Sequence, residues 1–412
     1  MIVEQNGGGV GATLCPISAN GAVITARGDF SKTERLYYPE LDALRFLAFL
    51  LVFFHHTAPR EASSYQADFS KGIAEVLASA ANMLGDGLPL FFFLSAFLIT
   101  ELLLREKLKT KTVKIGDFYI RRGLRIWPLY FLGIGVGIAA AIVAKFSRTP
   151  GDYGNWTMLV MYLALSGNWY FARGATAWSS NPMTPLWSLS IEEQFYLFWP
   201  IVIRSASHQT LFSVCGLMAV LAIFAEIILG SIHADADISI WTNSFVQFEN
   251  FAAGAALALY LNGSTPRFRT KIRLSLAAVS LSMWFASAYW FRAKYVGQAT
   301  SGPSVVIGYL FIASGCATAM LSVLGITRSI PSKLIYLGRI SFGLYIFHLL
   351  AIQIVAEAKE HIVAMPSWYG VVFQASASLL LTIFLAALSY RFIETPFLRL
   401  KERFAAVASR PI

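Results

Sequence analysis

Charge is scarce in this chain: 14% of its 412 residues are Asp, Glu, Lys or Arg, against 56% hydrophobic. A soluble domain carries nearer a quarter charged residues, so the composition excludes an ordinary water-soluble enzyme. Cysteine is scarcer still. Cys15, Cys215 and Cys316 offer neither a metal-ligand spacing nor a disulfide framework, and two of them fall in apolar runs as packing residues. A phosphate-cradling glycine loop, a Gly-x-Ser-x-Gly elbow and a metal-ligand cluster are also missing, so no metal and no bound cofactor is expected. No basic start leads into an apolar stretch, so a cleaved signal peptide is not expected either.

What fills the chain instead is apolar and aromatic, with 32 Phe and 10 Trp. Runs at 46–54, 88–104, 126–144, 211–229, 305–326 and 369–389 are long or aromatic enough for membrane spans. They lack period-2 alternation, which argues against an outer-membrane barrel. The reading is an all-α, polytopic membrane helical bundle. The net charge of +10 does not form one patch: the basic residues collect in short connections between apolar runs, as in cytoplasmic loops, and nucleic acid is not an expected partner. Residues 1–35, rich in Gly, Ser and Asn, read as a mobile cytoplasmic tail, 36–404 as the membrane domain and 405–412 as a short C-terminal tail.

Charge sets the topology. Residues 105–125 hold eight Lys/Arg against two acids and belong in the cytoplasm, as does the cluster at 267–273. Both fall inside only if the apolar piece at 156–171, interrupted by Ser166, Gly167 and Asn168, does not cross. This leaves about ten spans with both termini cytoplasmic, at 39–58, 85–104, 126–145, 189–204, 211–229, 245–262, 274–292, 304–326, 336–356 and 368–392. Residues 146–188 become one extracytoplasmic segment with Trp156, Trp169, Tyr170, Trp178 and Trp187.

Ionisable groups inside such spans are costly and mark function. His56 follows Arg45 by eleven residues; at ~100° per residue the two share a helix face, ~16 Å apart along the axis. A neutral histidine can take a proton from a hydroxyl group. Arg122 and Arg125, at i,i+3, share a face at a cytoplasmic mouth and suit phosphates such as those of an acyl-CoA, whereas Arg121 reads as positive-inside anchoring. Glu192 and Glu193 open the fourth span. Ser190 and Glu193 have the spacing of a capping box, and Glu192, ~100° away, is free to face a basic or hydroxyl partner. His348 lies mid-span and must find a partner. Glu394 is expected to pair with a basic residue, and Gly87, Pro89 and Ser95 to mark close helix packing with a kink.

Taken together these strings resemble the acyltransferase-3 family of integral membrane O-acyltransferases, which modify bacterial surface and secreted glycans. Leu41-Asp42-Ala43-Leu44-Arg45 with His56 matches the family's Arg/Lys-x10-His signature, and only His56, not His55, has that spacing. Residues 90–100 resemble its Phe-rich block, Arg122 and Arg125 its Arg-x-x-Arg block, and residues 187–200 its Trp-Ser-Leu-Ser-x-Glu-Glu-Gln-Phe-Tyr block. Residues 341–348 and Glu394 with Pro396 resemble the two C-terminal blocks. Ala96 stands where the family usually has Gly, Gly87-Leu88-Pro89 replaces a more usual Gly-Val-Asp, and no Pro follows His348 at the second position.

The resemblance implies transfer of an acyl group, commonly acetyl, from cytoplasmic acyl-CoA as co-substrate to a glycan or lipid-linked saccharide, at the bacterial inner membrane. It implies His56 as base or transient acyl carrier, with Glu192 or Glu193 orienting the imidazole. Arg45, Arg122 and Arg125 would hold the donor, His348 and Trp187 would bind substrate, and the outer aromatics would stack on sugar rings. The extracytoplasmic esterase-like domain that some relatives carry is not expected here. A proton-coupled secondary transporter is the competing reading, since buried Arg, His and Glu also build proton relays. A flippase-like scaffold is a third. Neither half of the chain repeats the other, which disfavours the transporter.

Overall fold

The computed structural model describes residues 36–147, 156–173, 181–232, 237–292, 301–326, 330–362 and 367–409. The expected tail at 1–35, with Cys15, and the aromatic Trp178 lie outside the described residues. Among the described residues the fold is helical throughout, without a strand.

The first helix, α1 (Pro39–Thr57), begins on a proline, carries Glu40 and Asp42 in its first turn, and ends on His55 and His56. Proline gives up no needed donor at a helix start, and acids there oppose the positive end of the helix dipole. α2 (Lys71–Met83) runs through a 3-10 turn at Leu84–Asp86 into α3 (Gly87–Thr110), and α4 (Ile115–Ser147) encloses Pro128. Two short helices follow, α5 (Trp156–Leu163) and α6 (Gly167–Ala172); at eight and six residues neither is long enough to cross a bilayer. Then come α7 (Trp187–Ser205), α8 (His208–Ile232), α9 (Asp237–Trp241) and α10 (Ser244–Leu261), the last capped by the Asn243 side chain, which accepts from Phe245 N. α11 (Thr270–Tyr289), α12 (Gly302–Val323), α13 (Ser332–Arg339), α14 (Ser341–Ile362) and α15 (Ser367–Ser389) complete the bundle. A π turn at Tyr390–Glu394 leads into α16 (Thr395–Lys401).

Seven helices of the described chain are long and apolar enough to cross a membrane: Lys71–Thr110, Ile115–Phe146, His208–Ile232, Thr270–Tyr289, Gly302–Val323, Ser341–Lys359 and Tyr369–Phe404. The chain is therefore a multi-pass membrane protein. The other three expected spans are helices too, α1, α7 and α10, but they fall outside the seven. They hold Glu40, Asp42 and Arg45, then Glu192 and Glu193, then Gln247, Glu249 and Asn250.

One of those polar helices sits in the middle of the bundle: α1 packs against α3, α12, α13, α14 and α15. Its buried face is Leu41, Leu44, Ala48, Phe49, Val52 and Phe53. Two glycines bring neighbouring backbones onto it. A Cβ at Gly87 would collide with the Ala48 carbonyl, and one at Gly338 with the Asp42 carbonyl. Gly87 thus marks close packing, as expected. The capping box does not form. A 3-10 turn at Thr184–Leu186 starts α7 at Trp187, four residues before a Ser190 cap would, and Ser190 Oγ instead accepts from Gly167 N at 3.1 Å, tying α6 to α7.

Candidate functional site

Three chambers follow one another along α1. The first, about 820 Å³, is lined by Tyr37, Asp42, Arg45, Arg121, Arg122, Arg125, Lys401 and the chain around Ala405–Ser409. The second, about 670 Å³, shares Arg45, Ser95, Arg122 and Arg125 with the first and adds Ser188, Glu192, Tyr196, Ser341 and Tyr345. The third, about 770 Å³, shares Leu88 and Tyr345 with the second and holds His55, His56, Arg60, Trp187 and Trp241. The shared linings make neighbours of all three.

In the histidine chamber the two adjacent imidazoles differ. His55 is fully engaged: its Nδ1–H donates to the Ala81 carbonyl at 3.3 Å, and its Nε2 accepts from Arg60 Nη1 at 3.2 Å. Among the described residues no hydrogen bond holds either ring nitrogen of His56, which is exposed and lines the chamber. Its ring lies 5.2 Å from that of the fully buried His348. His348 Nδ1–H donates to the Tyr345 carbonyl at 2.6 Å, which leaves Nε2 as an acceptor with no partner among the described residues. Phe49 closes the other side, edge-on at 6.3 Å. Mid-span His348 has therefore found the backbone of its own helix as partner, and its ring packs behind that of His56 without lining the chamber.

The middle chamber carries a hydroxyl–carboxylate chain. Tyr196 donates to Glu192 Oε2 at 2.5 Å, and Ser95 is hydrogen-bonded to the Tyr196 hydroxyl. Ser188 meets the Tyr345 hydroxyl at 2.8 Å, fixing that ring where the second and third chambers touch. Glu192 thus has the hydroxyl partner expected of it, one helical turn along. Ser95 serves this chain as well as packing.

The arginines divide in the same way as the histidines. Arg121 is buried, 2.6 Å from Glu106 and 2.6 Å from the Phe404 carbonyl, so its anchoring role stands, with a carboxylate as the anchor. Arg122 has no ion pair among the described residues; its guanidinium lies between the rings of Phe118 (5.5 Å) and Tyr196 (5.4 Å). Arg125 has no ion pair there either, and Arg45 faces only Asp42, at 3.9 Å. Glu394 makes no ion pair among the described residues, and one of its carboxylate oxygens has no hydrogen-bond partner; it lies in the field of Arg125 rather than against it.

Some expected placements shift. Glu193 lines none of these chambers; it is buried, and one of its carboxylate oxygens has no hydrogen-bond partner among the described residues. Neither glutamate lines the chamber of His56, and the imidazole that packs on it from another helix is His348. The aromatic group scatters. Trp156 is 80% exposed and Trp169 packs on Phe245, whereas Trp187 lines the histidine chamber with its ring 6.3 Å from that of Trp241. Tyr345, Trp241, Arg60 and Lys401 were not foreseen. Only Tyr345 had a signal, lying three residues before His348 on the same helix face.

Comparison with known proteins bears on this site. The chain is 25% identical over 390 residues to the peptidoglycan O-acetyltransferase OatA of Listeria monocytogenes, covering 89% of this chain and 56% of that protein. It is 26% identical over 408 residues to the O-acetyltransferase OatA of Staphylococcus aureus, covering 93% of this chain and 61% of that protein. The chain thus spans about three-fifths of the length of these relatives. No solved structure gives a significant match. Residues 38–391, which include α1, all three chambers' histidines and arginines, and the Glu192–Tyr196 pair, match the acyltransferase-3 model, described as an acyltransferase domain, and the chain belongs to that family.

Proposed function

We propose that this chain is a membrane O-acetyltransferase that moves an acetyl group from cytoplasmic acyl-CoA to a hydroxyl of a cell-surface or exported glycan, at the bacterial inner membrane. The observation that carries the reading is the file of chambers along α1, with unpaired arginines at one end and an unbonded imidazole at the other. In this reading the chain crosses about ten times with both termini inside, because the basic connections then all face the cytoplasm. The arginine chamber opens there and takes the phosphates of the donor.

Reach supports the same assignment. α1 is unbroken from Arg45 to His56, so eleven residues separate them by ~16 Å along the axis. The pantetheine arm of coenzyme A has about as many backbone bonds as four amino-acid residues and spans roughly 14 Å extended. An arm whose diphosphate rests on Arg45, Arg122 and Arg125 delivers its thioester to the histidine chamber. On the way its amides pass the hydroxyls of Ser95, Tyr196 and Ser188. There neutral His56 takes the proton of the acceptor hydroxyl as its oxygen attacks the thioester carbonyl. The C–O bond forms, the C–S bond breaks, and the proton returns from His56 to the departing thiolate. His348, its Nδ1–H engaged with a carbonyl, offers its bare Nε2 to the imidazolium. Trp187 and Trp241 flank the place of the sugar ring. The relative from Listeria names peptidoglycan, which makes a cell-wall glycan the first acceptor to try.

The test is label transfer from radiolabelled acetyl-CoA into the glycan fraction of membranes holding the wild type, His56→Ala or His55→Ala. Label lost with His56→Ala and kept with His55→Ala is the expected result. Equal label in all three would remove His56 from the reaction.

A further inference from the structure

The arginine chamber holds one cation that neither the sequence motifs nor the steps above use. Lys401, the last residue of α16, is only 9% exposed and lines this chamber beside Arg121, Arg122 and Arg125. Among the described residues it makes no ion pair, and its neighbour Glu402 is exposed. A buried ammonium without a counter-ion is costly, so its place is made for an anion that arrives from outside.

Its position says which anion. Arg45, Arg122 and Arg125 line both the first and the second chamber and so stand at their junction, whereas Lys401 lines the first alone. Arg121 also lines only the first, but Glu106 already neutralises it. The cations other than Arg121 are thus in two groups, Arg45, Arg122 and Arg125 at the junction, of which Arg45 alone faces a carboxylate (Asp42, 3.9 Å), and Lys401 farther from the thioester path. Coenzyme A carries its phosphates in the same order, a diphosphate next to the pantetheine arm and a lone 3′-phosphate beyond the ribose. The chain past Lys401 closes over this end of the chamber: Arg121 holds the Phe404 carbonyl at 2.6 Å, Lys109 the Ala406 carbonyl at 3.0 Å, and Leu36 N the Ala408 carbonyl at 2.8 Å.

Resting on the donor reading above, we infer that Lys401 is the residue that recognises the 3′-phosphate of the acyl-CoA, under a roof made by residues 402–409. The ammonium donates to phosphate oxygens, and a charged hydrogen bond of this kind is worth about a 10- to 150-fold difference in binding.

The experiment compares acetyl-CoA with acetyl-3′-dephospho-CoA in purified wild type, Lys401→Met and Lys401→Arg, following thiol release. Wild type should show a KM at least about 10-fold lower for acetyl-CoA. K401M should lose that preference by raising the KM for acetyl-CoA alone, and K401R should keep most of it. Thermal melting in detergent checks that each variant is folded, and should K401M not fold, K401R and the wild-type preference still decide. If wild type does not distinguish the donors, or if K401M shifts both alike, as it would were Lys401 holding a phospholipid headgroup, the assignment falls while the donor reading stands. If wild type consumes neither donor, both fall.

Discussion

The two ends of α1 solve opposite problems with the same device. At the histidine end, His55 is tied to a carbonyl and to Arg60, while its neighbour His56 makes no hydrogen bond among the described residues. At the arginine end, Arg121 is tied to Glu106 and the Phe404 carbonyl, while its neighbour Arg122 has no ion pair among the described residues and lies over two aromatic faces. Adjacent residues of one type point ~100° apart, so one serves the protein and the other the chamber. The ends differ in charge. One gathers positive groups beyond what its acids balance; the other works through neutral rings.

The largest effect that would test this division is at His56. His56→Ala should lower kcat by about 10²- to 10⁴-fold, and His55→Ala by only a few-fold, in an acetyl-CoA consumption assay. Equal losses would erase the distinction between the two. Next is the tied arginine: Arg121→Gln leaves Glu106 buried without its counter-charge, held only by the Lys114 backbone N–H, and should cost about 3–5 kcal/mol of stability, seen as a lower melting temperature in detergent, with the donor KM of the folded fraction unchanged. The free arginines should behave in reverse. Arg125→Gln should raise the KM for acetyl-CoA about 10- to 100-fold with little change in melting. Arg122→Lys should not rescue as Arg122 itself does, because an ammonium cannot lie flat between two rings. The smallest effect distinguishes chamber from surface. Trp187→Phe should raise the acceptor KM about 3-fold, whereas Trp156→Phe, at a site 80% exposed, should leave it alone.

Helices were easy to find in the sequence because apolar runs and basic connections alternate so plainly; the expected spans fall on helices, the one at 336–356 across the break between α13 and α14. The expected helix start at Ser190 failed for a reason local sequence cannot carry. Ser190 has the composition of a cap, but its hydroxyl is taken by Gly167 N, on a helix 23 residues away. The same holds for His56. The glutamates at 192 and 193 were natural partners on chemistry alone, yet the ring beside it is His348, brought in by the packing of α14 against α1. The i,i+4 link from Glu192 to Tyr196 was within reach, since both lie on one helix face. Lys401 was not, for it read as one more positive-inside charge.

The two glycines that press on α1 give the helix a mechanical role. Gly87 fixes it at Ala48 and Gly338 at Asp42, on either side of Arg45, by contacts with main-chain carbonyls that cannot rotate away. Held there, α1 is a measuring rod: its arginine end cannot slide relative to the bundle, and the peptide geometry alone sets where His56 stands. One residue added between Arg45 and His56 would leave every chemical group in place and still turn the imidazole by ~100° and carry it ~1.5 Å farther out. The Arg-x10-His spacing then records a length and an angle rather than a contact between the two residues.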